Sequence, residues 1–325
     1  MRYLKLFPGS SPDVSALCLG TGSFGSAVSR ADAFAQMDRF YGYGGNFFDT
    51  ARVYADWAPG GHGISEKTLG GWIKERKCRD KVVVSTKGAH PDLKTMNIPR
   101  MSMKELRSDL EDSLLALDTG YIDLYFLHRD DVSRPVEEIL SNLEIFRKEG
   151  KILNYGCSNW TLPRIIEAMQ ISRDHYAGFS CNQIRFGLAD VNKNETGDST
   201  TLSMDNEFYA WHQKTKMPVM GFSSSCKGYF SKKLKGAPVS PAQERIYDNP
   251  ANRKLLEKLA LWEKQCNVST AVLVSGWVMA QKFPSVPIAS FSSPAQMDET
   301  IKAADFDFPA GIMDEIAGIK RFLST

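Results

Sequence analysis

Ile122-Asp123-Leu124-Tyr125-Phe126-Leu127, closed by His128-Arg129, is apolar almost throughout and too short for a helix standing alone. Such a run suits a strand covered on both faces, as the strands of parallel sheets are. On either side lie segments with helical periodicity, Met103-Leu117 and Val136-Glu149. Strand, helix and strand in that order imply parallel strands joined by helical crossovers.

The same alternation extends in both directions. Short apolar runs occur at Ala16-Leu19, Asn46-Phe48, Val82-Ser85, Ile152-Gly156, Phe179-Gln183, Pro218-Gly221 and Val286-Ala289. With the first run they make about eight, the number of a (β/α)8 barrel. Helical patterns fall between them at Arg30-Tyr43, Glu66-Arg76, Leu162-Ser172, Asn206-Lys214, Asn252-Gln265, Thr270-Gln281 and Ala295-Ala304, with a last one at Ala310-Phe322. Ser65, Ser102 and Thr161 read as N-caps, and Pro135 and Pro294 as prolines near first turns. No Pro/Gly-rich linker or repeat interrupts the chain, so residues 1–325 read as one α/β domain. The least patterned stretches, Gly187-Thr201 and Ser223-Asp248, follow strands and are expected to be loops over the active site.

Composition excludes several classes. The 325 residues are 42% hydrophobic and 24% charged with net charge +2, far from the basic excess that phosphate backbones require. Lys232-Lys233-Leu234-Lys235 reads as a solvated loop, so no nucleic-acid partner is expected. Six cysteines, Cys18, Cys78, Cys157, Cys181, Cys226 and Cys266, form no C-x-x-C pair, which fits a reducing, cytoplasmic setting. No apolar run is long enough to span a bilayer, so no membrane partner is expected. His62, His90, His175 and His212 lack metal-ligand spacing, and no G-x-S-x-G occurs, so neither a metal nor a hydrolytic nucleophile is expected. Nothing in the sequence bears on oligomeric state.

Four ionisable residues fall at or just beyond the carboxyl ends of successive expected strands: Asp49, Tyr54, Lys87 and His128. Parallel strands would bring them together. Reduction of a carbonyl by hydride needs a proton donor for the developing alkoxide, and a tyrosine hydroxyl can serve if its pKa, ordinarily about 10, is brought toward neutrality. Lys87 could do that, Asp49 could hold Lys87 charged, and His128 could orient the substrate oxygen. Taken singly, each residue could equally be a cap, a rim residue or part of the core.

The chain resembles the aldo-keto reductase superfamily through Gly45-Asn46-Phe47-Phe48-Asp49-Thr50-Ala51 with Tyr54, through Val83-Val84-Ser85-Thr86-Lys87, and through Tyr121-Ile122-Asp123-Leu124-Tyr125-Phe126-Leu127-His128-Arg129. The resemblance runs from about Leu17 to Ile301. It implies a (β/α)8 barrel, an NADP(H)- or NAD(H)-dependent oxidoreductase acting on a small carbonyl or alcohol, Tyr54 as acid/base, Asp49 and Lys87 as its tuning pair, and His128 as substrate orienter. It further implies that Ser158, Asn159 and Gln183 hold the nicotinamide carboxamide, and that Phe222 stacks on its ring. Ser223 and Lys227 would embrace the diphosphate, and Ser290 and Ser292 would precede a helix facing a phosphate. Many NADP-dependent members carry cations in this last segment, where Ser290 and Gln296 are neutral here; Glu299 keeps a position tied to adenine and ribose, and Lys302 could compensate for the missing cations. Gly22 would line the barrel mouth near nicotinamide. By position, Phe24, Trp57, His90, Arg129, Trp160 and Arg185 are the expected substrate contacts, a mixture of aromatic walls and hydrogen-bonding groups suited to a sugar or other polyhydroxylated carbonyl.

Two rival readings follow from the same residues. Gly20-Thr21-Gly22-Ser23-Phe24-Gly25 is a complete G-x-G-x-x-G, which alone indicates a Rossmann dehydrogenase, with Asp49 as the ribose-binding acid. However, the helical pattern starts only near Ser29 or Arg30, too late for its N-terminus to meet a pyrophosphate at the turn. The other rival is a non-catalytic cofactor sensor or channel-subunit-like protein on the same fold. The first expected strand begins near Ala16, which leaves no long N-terminal extension for docking, and all four catalytic positions are kept.

Overall fold

The computed structural model describes residues 1–7, 12–192, 195 and 197–320. Its parallel strands are β1 (Cys18–Gly20), β2 (Phe47–Asp49), β3 (Val83–Gly88), β4 (Ile122–Leu127), β5 (Ile152–Ser158), β6 (Asn182–Arg185), β7 (Val219–Phe222) and β8 (Ser285–Ala289). Their order is β8-β1-β2-β3-β4-β5-β6-β7, closed on itself, with helices between strands: the (β/α)8 barrel, not the doubly wound sheet of the Rossmann reading.

The chain divides into two compact units. One comprises Leu4–Gln183 and the other Met1–Tyr3 with Ile184–Thr325. The first holds β1 to β5, the start of β6, and helices α1 (Arg30–Gly42), α2 (Ile64–Arg76), α3 (Met103–Leu117), α4 (Val136–Lys148) and α5 (Leu162–His175). Every residue of β3 and β4 is buried, as their near-continuous apolar character requires. Their register pairs Ser85 with Leu124 and Lys87 with Phe126. Helix α3 starts on a full capping box, with Ser102 accepting from the Glu105 amide and Glu105 accepting from the Ser102 amide. Helices α2 and α3 approach closely at Gly70, where a Cβ would stand 2.5 Å from the Leu117 carbonyl oxygen.

The second unit holds the end of β6, β7 and β8, and helices α6 (Asn206–Thr215), α7 (Tyr229–Leu234), α8 (Pro241–Tyr247), α9 (Pro250–Cys266), α10 (Thr270–Met279), α11 (Pro294–Thr300) and α12 (Ala310–Ile319). Strands β7 and β8 are paired in parallel from Val219 and Ser285. The outermost turns of the expected last helix, at 321–322, lie outside the described residues.

Some local expectations need correction. Ser65 is not an N-cap: α2 begins at Ile64 after Gly63, whose φ is 65°, and the Ser65 hydroxyl instead donates to the Thr21 carbonyl at 2.8 Å. Thr161 sits at the N-cap of α5 but makes no side-chain capping bond. Pro135 is near the first turn of α4 as expected, at its N-cap. The sixth strand starts at Asn182, with Phe179 ahead of it packed against Trp160 (centroids 5.0 Å apart). Finally, Ser223-Asp248 is not a loop throughout, for it contains α7 and α8. Helix α8 carries a capping box between Ser240 and Gln243, but at 7 residues it is too short to show periodicity. Gly187-Thr201 is irregular over its described residues, with 193, 194 and 196 outside them.

Candidate active site

In the first unit, the parallel register brings Asp49 opposite Ser85 and places Lys87 two residues further along β3, on the same side as Ser85. Lys87 has a fully buried side chain and uses all three donors: Asp49 Oδ2 at 2.7 Å, the Thr50 carbonyl at 2.6 Å and the Tyr54 hydroxyl at 3.1 Å. Asp49 Oδ1 accepts from Ser85 Oγ at 2.7 Å and Gln183 Nε2 at 2.9 Å. An aspartate, a lysine and a tyrosine from two strands and one loop are thus joined in a single hydrogen-bonded line.

Electrostatics in this line differ from the expectation. Burial pushes the Tyr54 hydroxyl up from 10, and the opposing pull of Lys87 does not overcome it. Burial alone would pull Lys87 down, but Asp49 and Tyr54 together outweigh it, so the ammonium is held above 10.5. His128 follows β4, its ring edge-on to Tyr54 at 5.9 Å and to His90 at 4.8 Å. Burial, reinforced by Arg129, Lys87 and His90, drives its pKa well below 6.5, so it is a neutral imidazole. Its Nδ1 is buried without a hydrogen-bond partner.

Ser158 ends β5 and pairs in register with Gln183. Asn159 follows in the left-handed region, φ 61°, with its amide nitrogen donating to Ser158 Oγ at 3.0 Å and the His128 carbonyl at 3.3 Å. A hydroxyl and two side-chain amides therefore cluster at one end of neighbouring strands, with Gln183 also tied to Asp49. Gly22 faces Tyr54, and a Cβ there would touch the tyrosine ring at 3.4 Å.

The expected substrate contacts in this unit are used unequally. Phe24 and Trp160 are buried; the Trp160 indole donates to the Arg129 carbonyl at 3.2 Å and packs on Phe179. Arg129 is itself buried and donates to the His128 carbonyl at 2.7 Å, and His90 Nδ1 lies 2.6 Å from the Pro91 carbonyl. Trp57 is 64% exposed.

In the second unit, Phe222 ends β7 with the Arg185 guanidinium 5.2 Å from its ring centroid. Ser223, Cys226, Lys227 and Gly228 all have positive φ, between 53° and 73°. Left-handed conformations concentrated in one short turn are costly for side-chain-bearing residues and are typical of ligand clamps. Beyond β8, the Ser292 amide and hydroxyl both donate to Gln296 Oε1, at 3.0 and 2.8 Å. Glu299 pairs with Lys302 at 2.6 Å. Ser290 lies between β8 and this turn.

Sequence reasoning missed Ser85 and the Thr50 carbonyl, which hold Asp49 and Lys87. The signal for Ser85 was its two-residue spacing from Lys87, which places both side chains on one strand face. Arg185 as a neighbour of Phe222 had no sequence signal, since β6 and β7 are separated by a whole crossover.

The sequence pattern of the aldo/keto reductase family matches residues 16–321. The chain belongs to that family. It is an NAD(P)(H)-dependent oxidoreductase. Among its relatives, this chain is 28% identical to an aryl-alcohol dehydrogenase of Pestalotiopsis microspora, over 97% of this chain and 81% of the relative. It is 36% identical to a norsolorinic acid reductase of Aspergillus flavus, over 89% of this chain and 74% of that one. Three other norsolorinic acid reductases match over about half of this chain, which spans under half of their length. Among solved structures, a thermostable aldo-keto reductase in complex with the inhibitor epalrestat superposes with a TM-score of 0.72 at 21% identity, covering 98% of the reductase and all of that chain. No helix among the described residues is long and apolar enough to cross a membrane.

Proposed function

We propose that the reductase, as one domain, interconverts an aryl carbonyl compound and its alcohol, with Tyr54 as general acid/base. The observation that carries this reading is the line Asp49–Lys87–Tyr54, with a lysine ammonium 3.1 Å from a half-buried phenol. When bound, the nicotinamide supplies hydride to the carbonyl carbon. Tyr54 donates its proton to the carbonyl oxygen as that oxygen becomes an alkoxide, and Lys87 stabilises the tyrosinate left behind. The raised pKa keeps Tyr54 protonated at neutral pH, which suits reduction. Oxidation runs through the same groups and needs the tyrosinate. His128, being neutral, can hydrogen-bond the substrate oxygen without placing a second full charge beside Lys87.

The donor set suits a nicotinamide dinucleotide. Ser158, Asn159 and Gln183 offer the hydroxyl and amides a carboxamide requires, Phe222 an aromatic face, and the left-handed turn at Ser223 and Lys227 backbone amides for a diphosphate. Gly22 keeps the chain beside Tyr54 thin. Segment 290–302, with Ser290, Ser292, Gln296 and Glu299, has Lys302 as its one cation, and that lysine is held by Glu299. This favours NAD(H) over NADP(H), because a 2′-phosphate would have to displace an ion pair.

An aryl substrate is preferred to the sugar expected from residue types, because the faces of Phe24 and Trp160 and the charge of Arg129 are already engaged within the protein. Trp57 and Arg185 remain as substrate contacts, with His90 beside His128. The names of two relatives covered over most of their length support this, one naming an aryl alcohol and the other a reduction. The unpaired cysteines suit the cytoplasm.

The test is Tyr54→Phe, assayed for turnover of benzaldehyde-type substrates and titrated with NADH and NADPH by tryptophan quenching. Turnover should fall about 10²–10⁴-fold with cofactor binding unchanged. Full turnover in the variant would remove Tyr54 from the mechanism, cofactor binding without turnover in the wild type would favour the non-catalytic sensor, and no binding of either cofactor would overturn both readings.

A further inference from the structure

The second unit contains a cavity of about 610 Å³ between the β6 exit, the start of α6, the β7 exit and the α8–α9 junction. That volume is ample for a two-ring aromatic compound. Its walls include Phe186, Met204, Tyr247 and Pro250, so most of what a ligand would touch there is apolar.

The charges around it are unevenly paired. Asp190 is already paired with Lys320 at 2.6 Å, and Asp205 is spent capping α6, accepting from the Phe208 amide at 2.9 Å. Arg185 is the cavity's cation, and no carboxylate lies within ion-pairing distance of it among the described residues. It meets the Phe222 ring, the Tyr247 hydroxyl and, in one long bond of 3.5 Å, Ser223 Oγ, while its Nε is buried without an acceptor. A buried guanidinium donor without a partner is costly, and a ligand acceptor placed there would regain a charge-assisted bond. An apolar chamber whose acids are engaged, Asp190 by Lys320 and Asp205 by the start of α6, and whose arginine keeps an open donor is complementary to an apolar anion.

We propose that this cavity binds an aromatic carboxylate or phenolate, its rings against Phe186, Met204 and Tyr247 and its negative oxygen on Arg185. The proposal rests on the reading of Arg185 as a substrate contact and adds the charge of the group it receives. The anion is either the distal part of the carbonyl substrate or a separate effector of the same chemistry.

The probes are 2-naphthoate and its uncharged counterpart 2-naphthamide, titrated calorimetrically into the full chain. Naphthoate should bind at least about 10-fold more tightly than naphthamide, and Arg185→Met should erase that preference while leaving naphthamide affinity within about twofold. Ala251→Trp, which fills the cavity from its α9 wall, should lose both ligands, and it serves if Arg185→Met does not fold. Equal binding of the two probes, no binding of either, a preference that survives Arg185→Met, or unchanged binding to Ala251→Trp each overturns the proposal. Competitive inhibition of aldehyde reduction by naphthoate assigns the site to the substrate, and non-competitive inhibition assigns it to an effector. Heat of binding is read without turnover, so failure of the Tyr54 mechanism would appear only in the Tyr54→Phe kinetics.

Discussion

Each unit buries one lysine completely against an aspartate, Lys87 on Asp49 at 2.7 Å and Lys320 on Asp190 at 2.6 Å, yet the two are driven in opposite directions. Burial lowers both. Around Lys87, Asp49 and the Tyr54 hydroxyl together more than offset it, and the pKa rises above 10.5. Around Lys320, Asp190 does not, and the pKa falls below 10.5. The remaining partners explain the difference. Lys87 faces a group that can itself become an anion, whereas Lys320 donates to the Leu188 and Gly187 carbonyls at 2.6 and 3.4 Å and lies over the Trp277 ring. The first arrangement can take part in proton transfer. The second is a strap that fixes the β6 exit, where the cavity wall is built.

The largest expected contrast is in turnover. Lys87→Met should lower the rate of reduction by about 10²–10⁴-fold, because the tyrosinate formed on proton donation loses its counter-charge. Lys320→Met should leave the rate per folded molecule within about tenfold. Steady-state kinetics on both variants, normalised to folded protein, would break the comparison if Lys320→Met proved as damaging as Lys87→Met.

Next in size is stability. Removing Lys320 leaves Asp190 and two loop carbonyls without their donor, and loss of one member of a buried pair costs about 3–5 kcal/mol. Asp190 keeps 16% side-chain exposure and can recover some hydration, which places Lys320→Met near the lower end of that range. Urea unfolding measures it. The double variant Lys320→Met/Asp190→Leu should be more stable than Lys320→Met alone, since it removes the stranded charge; if it is less stable, the strap is not electrostatic.

These two sites were not equally legible. The Asp49, Tyr54, Lys87 and His128 set could be found because each follows a short apolar run, and parallel strands gather their ends whatever the crossovers between them. The strap and the cavity could not, because Lys320 lies 130 residues beyond Asp190 and nothing near either residue signals the partner. The same limit explains the element edges. Ile122–Leu127 and Met103–Leu117 have the expected bounds because periodicity and a capping box mark them from within. Phe179–Cys181 lead into the sixth strand, with the Ser180 amide donating to the Tyr155 carbonyl and the Cys157 amide to the Cys181 carbonyl, but register pairing begins only at Asn182, an edge that apolar character does not mark. The expected fall in the Tyr54 pKa failed for a related reason: sequence names the cation beside a phenol but not the depth at which both are buried.

The finest test of the comparison is the sign of its pH dependence. A group whose folded pKa is raised stabilises the fold below its unfolded value, and that contribution is lost as pH rises through the folded pKa. For Lys87 the loss therefore begins above 10.5. A group whose folded pKa is depressed contributes fully above its unfolded value, and the contribution is lost as pH falls through the folded one. For Lys320 the change lies below 10.5. Unfolding free energies of the wild type, Lys87→Met and Lys320→Met across pH 8.5–11.5 should then diverge in opposite senses. The advantage of wild type over Lys320→Met should grow as pH rises toward 10.5, and its advantage over Lys87→Met should shrink beyond that point. Neither slope can exceed about 1.4 kcal/mol per pH unit for one proton. Slopes of the same sign would mean that Asp49 and the Tyr54 hydroxyl together do not offset burial at Lys87, and the two lysines would then differ in place but not in kind.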